Sequence, residues 1–159
     1  VAAGSSIDSG VTYVGAAPEA ELVIVKCKQA KQYLREYYLI GEEVNAYQEN
    51  DIMLAVKYLE RYALSFQRPL VICLGMGTNM GDHAGNSLLA RYMNRVAERS
   101  SRAIVVCGGN EGNSAHSDSN SASLSDGSRN YDEAEIRVGN KVYGFHMEIW
   151  GNIPGGGSL

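Results

Sequence analysis

Residues 102–113, RAIVVCGGNEGN, constrain the fold more than any other stretch of this chain. A short apolar run passes straight into two glycines and Asn110. An apolar run of this length reads as a buried strand, and glycines at its end let another backbone approach closely. The end of a buried strand is where α/β proteins place their chemistry. Asn110 is therefore the first candidate for a functional side chain. The alternative is that it merely ends the strand in a turn, where asparagine and glycine are common.

The rest of the N-terminal two thirds alternates strands and helices. Residues 21–27 (ELVIVKC) read as a buried strand, and residues 47–65 repeat apolar side chains at Ile52, Val56, Leu59 and Ala63, which is helical spacing. Pro69 blocks helix continuation and biases its predecessor to extended geometry, so a strand is predicted over residues 70–74. Ser87 is placed to cap a second helix reaching about Arg99, with Leu89, Met93 and Val96 inward. A third strand follows over residues 103–107. Strands separated by helices of this length predict an α/β fold with parallel pairing and right-handed crossovers.

After Asn113 the character changes. Residues 114–130 are dominated by Ser, Asn, Asp and Gly, a composition that buries little apolar surface and reads as an exposed loop. Residues 133–152, EAEIRVGNKVYGFHMEIWGN, alternate about a turn at Gly139-Asn140 and predict a C-terminal β-hairpin.

Three stretches, in order, resemble subtilisin-like serine proteases. Residues 14–26, VGAAPEAELVIVK, resemble the subtilase GVAPxAxLxxVK strand; residues 70–77, LVICLGMG, resemble the substrate-flanking strand that usually ends SLGG; and CGGNEG resembles AAGNEG, whose asparagine forms the oxyanion hole. Within that superfamily, AYQENDIMLAVKYL and FHMEIWGN are most similar to the clostridial subtilases that include spore-germination proteases. The resemblance implies a three-layer subtilisin-like domain with a mainly parallel sheet flanked by helices. It implies an endopeptidase with Asn110 as oxyanion donor, and with Leu74, Gly75, Met76, Cys107, Gly108 and Gly109 flanking an extended peptide or protein substrate. Glycine permits such a peptide to approach as an added strand, although these glycines could equally serve only to tighten turns. Two departures bear on the pocket: Cys73 stands where the family commonly has serine, and Met76 where it commonly has glycine.

The family's aspartate strand, HGTxVAG helix and GTSxA helix do not occur in these residues. VAAG at residues 1–4 resembles the tail of the histidine helix. The expectation is a fragment, inactive alone, comprising a partial catalytic domain over residues 1–113, the loop over 114–130, and a hairpin over 131–159 that would start the β-rich insertion of the clostridial group. Two other readings stand beside the protease. One is a noncatalytic pseudoprotease that binds a peptide; the other is a Rossmann-like ligand-binding domain, which follows from the alternation alone. The glycines at 75, 77 and 81 form neither GxGxxG nor a P-loop, so a nucleotide site lacks a motif.

Composition trims the remaining classes. The net charge of −4 is spread along the chain, which argues against a nucleic-acid surface. No apolar run is long enough to span a bilayer, so no membrane partner is expected. Cys27, Cys73 and Cys107 form no CxxC or Cys/His cluster and are expected as buried, reduced thiols. Together with the resemblance they suggest a bacterial protein that is cytoplasmic or spore-associated rather than secreted.

Asp82, Asp118, Asp126, Asp132 and Glu133 lie in polar stretches where calcium could bind, as it does in many subtilases, but no calcium-loop motif is present, and neither a metal nor a cofactor is expected. His83, His116 and His146 fall outside the family's histidine motif and are expected as solvent-facing or structural residues. The family packs helices absent from these residues over its sheet. The strands around Val23, Val71 and Val105 are therefore expected to leave an apolar face uncovered and to favour self-association.

Overall fold

In the computed structural model, residues 2–8, 11–110 and 136–150 are described. In chain order their elements are β1 (Ser5–Asp8), β2 (Val11–Val14), α1 (Gln32–Tyr37), α2 (Glu49–Ser65), β3 (Leu70–Leu74), α3 (Leu88–Ala97) and β4 (Arg102–Val106). β1 and β2 pair antiparallel as a hairpin that the sequence pattern did not disclose. β3 and β4 pair in parallel, with Leu70 opposite Arg102 and Leu74 opposite Val106. A parallel pair needs a crossover, and α3 supplies it.

α2 and α3 form where the sequence predicts helices, whereas α1 was not predicted. Ile52, Val56 and Ala63 of α2 are buried, and Leu59 packs beside them. Glu49 and Asp51 sit in the first turn, where carboxylates oppose the helix dipole favourably. α3 begins at the predicted cap: Ser87 Oγ accepts a hydrogen bond from Ala90 N at 3.1 Å. Leu89 and Val96 of α3 are buried, and Met93 is half-buried.

Val56 of α2, Ile72 of β3 and Val96 of α3 form the core, with Leu59, Leu70, Tyr92 and Ile104 packed around them. Strand alternation decides what remains outside. Leu70, Ile72 and Leu74 face the helices, whereas Val71 and Cys73 between them are exposed. Val71 is 70% and Val105 55% accessible. Among the described residues α2 and α3 thus lie on one face of the β3–β4 sheet, as one helical layer of an α/β arrangement.

Three expectations need correction. Residues 21–27 join no strand ladder among the described residues: Val23, Val25 and Cys27 are half-buried while Leu22, Ile24 and Lys26 are exposed, so only the burial alternation is strand-like. Glu21 instead ties this stretch to the end of α2, accepting from Tyr62 Oη at 2.9 Å and pairing with Arg68 at 3.3 Å. The cysteines are not a buried set. All three are free thiols, but Cys73 and Cys107 are exposed and Cys27 is half-buried, because Cys73 falls on the uncovered strand face and Cys107 lies just past the end of β4.

Of the expected C-terminal hairpin, the described residues show the turn. Val142 N donates to Gly139 O at 3.3 Å and Lys141 takes a left-handed φ of 65°, yet residues 136–150 contain no strand. Within them Gly144 and His146 approach the C-terminal end of α1, and Glu148 bonds to the loop after β3. Residues 114–130 and 131–135, the expected loop and the rest of the hairpin arm, are outside the described residues, as is His116. No helix among the described residues is long and apolar enough to cross a membrane.

Candidate functional site

Parallel pairing in register makes β3 and β4 end side by side. Cys107 N donates to Leu74 O at 3.3 Å, extending the ladder one step beyond β4. From that point Gly75 and Met76 leave one strand while Gly108, Gly109 and Asn110 leave the other. The two sets of sequence-derived candidates are therefore brought together at one end of the sheet. A Cβ placed on Gly77 would come 3.8 Å from Cys107 Sγ, so the loop after β3 is still beside Cys107 at that residue.

The glycines here are of two kinds. A Cβ at Gly75 or Gly108 would meet nothing within 4 Å, so open space lies in front of both backbones. Gly109 has a φ of +77°, a region that side chains with L chirality adopt only at a cost of about 1–2 kcal/mol. It turns the chain out of the strand direction and leaves Asn110 exposed beyond it. An open cleft of about 520 Å³ lies next to this end, between residues 25–29, Tyr47 and Met76. Cys27 and Met76 both line it, so the end of the unpaired stretch, from Val25 onward, forms part of its wall.

Two carboxylates organise the loop between β3 and α3. Asp82 accepts hydrogen bonds from Ala84 N at 3.3 Å, from Asn86 N at 3.2 Å and from the Asn86 side-chain amide. The Asn86 amide is the main cause that holds the Asp82 carboxyl below the usual carboxylate range. Glu148, far along the chain, accepts from Gly81 N at 2.8 Å and from Trp150 Nε1 at 3.1 Å, and the Gly81 bond is the main cause that lowers its carboxyl.

Both groups are depressed when folded, so the stability they contribute is complete above the ordinary carboxylate range and is lost as pH falls from that range through their lowered folded-state values. Hydrogen exchange across residues 78–87 is accordingly expected to accelerate on acidification from about pH 6 to pH 3. Exchange that stays constant over that interval, after correction for its intrinsic pH dependence, would contradict this assignment.

The remaining candidates are accounted for locally. His83 Nε2 lies 3.2 Å from Asn79 O, and His83 itself has a φ of +51°. His146 packs edge-on to Tyr38 with ring centres 5.0 Å apart. Among the described residues no three His, Cys, Asp or Glu side chains are grouped to hold a metal ion. Asp118, Asp126, Asp132 and Glu133 are outside the described residues.

Sequence reasoning missed three charged residues that support this region. Arg35 of α1 is buried and its Nη2 donates to Gly41 O and, at 2.7 Å, to Val44 O, closing the loop that leads to Tyr47. Glu60, buried on α2, pairs with Arg99 at the end of α3 and ties the two core helices together. Glu148 was hidden in a stretch read only as strand. A charge at a helical core position, as at Glu60, was the one signal available in the sequence.

No family model matches the chain, and no curated protein matches it. Among solved structures the chain is similar to the Clostridium perfringens CspB protease over 48% of its own length, with 38% sequence identity and a TM-score of 0.45. The match spans 17% of the length of that protease chain.

Proposed function

We propose that the adjoining ends of β3 and β4 are the peptide-flanking strands and oxyanion loop of a subtilisin-like serine endopeptidase. The observation that carries this reading is the parallel register, which sets Leu74, Gly75 and Met76 beside Cys107, Gly108, Gly109 and Asn110. It agrees with the ordered resemblance of LGMG and CGGN to the corresponding subtilase stretches. In this reading an extended substrate adds as a strand along the open backbone at Gly75 and Gly108. The Asn110 carboxamide N–H donates to the oxyanion that develops as the scissile carbonyl is attacked. The serine nucleophile, its histidine base and the orienting aspartate come from segments other than these residues. Acyl transfer by this route uses no cofactor, and the partner is a peptide or protein, with no role for nucleic acid or a membrane.

A noncatalytic, peptide-binding role of the same strands is the second reading. Its motivation is that His83 and His146 are engaged with Asn79 O and with tyrosine rings. Both readings need the strand ends to accept a peptide, and Gly75→Ala and Gly108→Ala test that requirement. Open space in front of both positions means that each substitution should change stability by no more than about 0.5 kcal/mol. An incoming peptide backbone would meet the added methyl, so affinity for extended peptides is expected to fall by about tenfold. Peptide binding that is unaffected by either alanine, measured by fluorescence anisotropy, would remove the strand ends from the site.

The uncovered sheet face supports a further proposal. With Val71 and Val105 exposed and the sheet edges unpaired among the described residues, the isolated chain is expected to self-associate. Light scattering across a dilution series reads this directly, and a monodisperse monomer at high micromolar concentration would contradict it.

A further inference from the structure

Residues 144–150 cross from α1 to the loop after β3 and hold both. On α1, the His146 ring lies 5.0 Å from that of Tyr38 and 6.0 Å from that of Tyr37. A Cβ on Gly144 would come within 2.9 Å of Leu39 Cδ1, so the strap passes close to the end of that helix. Four residues further on, Glu148 Oε2 receives Gly81 N at 2.8 Å and Trp150 Nε1 at 3.1 Å, while Oε1 lies 3.9 Å from His146 Nε2.

Gly81 occupies the middle of the segment that leaves β3 through Gly75 and Met76 and enters α3 at Ser87. Its φ of +97° turns the chain there, and a Cβ on it would lie 3.9 Å from Ser87 Cβ. The two ends of this loop are held by the β3 ladder and the α3 cap. Between them Asp82 accepts from residues within four positions of itself and so shapes the local turn. Glu148 makes a long-range tie, across 67 positions of sequence. An ionised acceptor makes a backbone hydrogen bond roughly twice as strong as a neutral one.

We infer that Glu148 is a positioning residue for the loop following β3: its carboxylate transmits the anchorage of residues 144–150 on α1 to Gly81, and so sets where residues 74–77 lie. The effect on ligand rests on the reading above, that residues 74–77 flank a bound peptide. The effect on the loop does not.

The test uses the whole chain as wild type, Glu148→Gln and Glu148→Ala, with three readouts: amide exchange over residues 78–82, emission of Trp150, the sole tryptophan, and binding of fluorescein-labelled casein peptides. In Glu148→Ala, exchange at Gly81 is expected to be about tenfold faster, Trp150 emission to shift, and peptide Kd to rise by about three- to tenfold. Glu148→Gln keeps an oxygen acceptor without the charge, and its exchange is expected to be about threefold faster than wild type. Exchange at Gly81 equal to wild type in both variants overturns the positioning role. Faster exchange with unchanged peptide affinity overturns its link to the ligand. Absence of peptide binding in the wild type overturns the reading of residues 74–77, and the exchange data still judge Glu148. Should the alanine variant fail to fold, the glutamine variant decides by the same measurements.

Discussion

In a protein that joins this chain to a complete triad, Asn110→Ala is expected to lower turnover by about two to three orders of magnitude with little change in KM. That magnitude is taken over from the known effect of removing one such donor in subtilisin. A donor that meets charge present only in the transition state affects kcat and kcat/KM equally, which separates this role from simple substrate binding. Asn110→Asp is expected to be at least as damaging, since it sets a negative charge against the developing oxyanion. The measurement is kcat per fluorophosphonate-titrated serine, so that inactive protein does not distort the ratio. Turnover within a few-fold of wild type would leave Asn110 as a turn residue and nothing more. A protein that binds peptides but takes up no fluorophosphonate would favour the noncatalytic reading.

Ile72→Ala is expected to destabilise the fold by about 2–5 kcal/mol, the range for truncating a buried aliphatic side chain whose cavity cannot collapse. Ile72 is 6% accessible and lies between the two core helices with Val56 and Val96. The adjacent substitution, Val71→Ala, is expected to cost no more than about 0.5 kcal/mol, because Val71 points to the uncovered face. Urea unfolding of both variants measures the contrast. Few side chains are buried among the described residues, and a loss of this size is a large part of a typical domain stability of about 5–15 kcal/mol. Equal losses at positions 71 and 72 would show that both sheet faces are covered in solution.

Local patterns predicted the elements that hold this core. Apolar spacing over residues 47–65, the proline at 69 and the serine at 87 each act within a turn or two of themselves, and α2, β3 and α3 lie where those signals put them. The parallel order of β3 and β4 followed from the same signals, because a helix between two strands brings the chain back to the starting end of the sheet. The candidate site was legible to the same extent: given parallel pairing, LGMG and CGGN must leave the sheet together.

What failed were inferences that treat apolar content as burial. Residues 21–27 alternate as a strand does, but a strand exists only where a neighbour offers backbone groups to pair with. Cys73 and Cys107 looked like core residues because they sit in or beside apolar runs. Their exposure depends on which sheet face the helices cover, and period-two alternation is symmetric between the two faces. The turn at Gly139 was legible from its residues, whereas the strands it was expected to join depended on contacts beyond it.

By itself, then, the sequence determined where α2, β3, α3 and β4 lie, the parallel order of the two strands, and which glycine-rich ends meet, since each rests on local backbone preference or on chain connectivity. Tertiary structure alone decided that α2 and α3 share one face of the sheet, that Arg35 and Glu60 become buried, and that Glu148 reaches Gly81. Those outcomes rest on contacts between residues distant in sequence, where the energy of each contact is comparable to the cost of ordering its partners, and no local pattern encodes which of them will form.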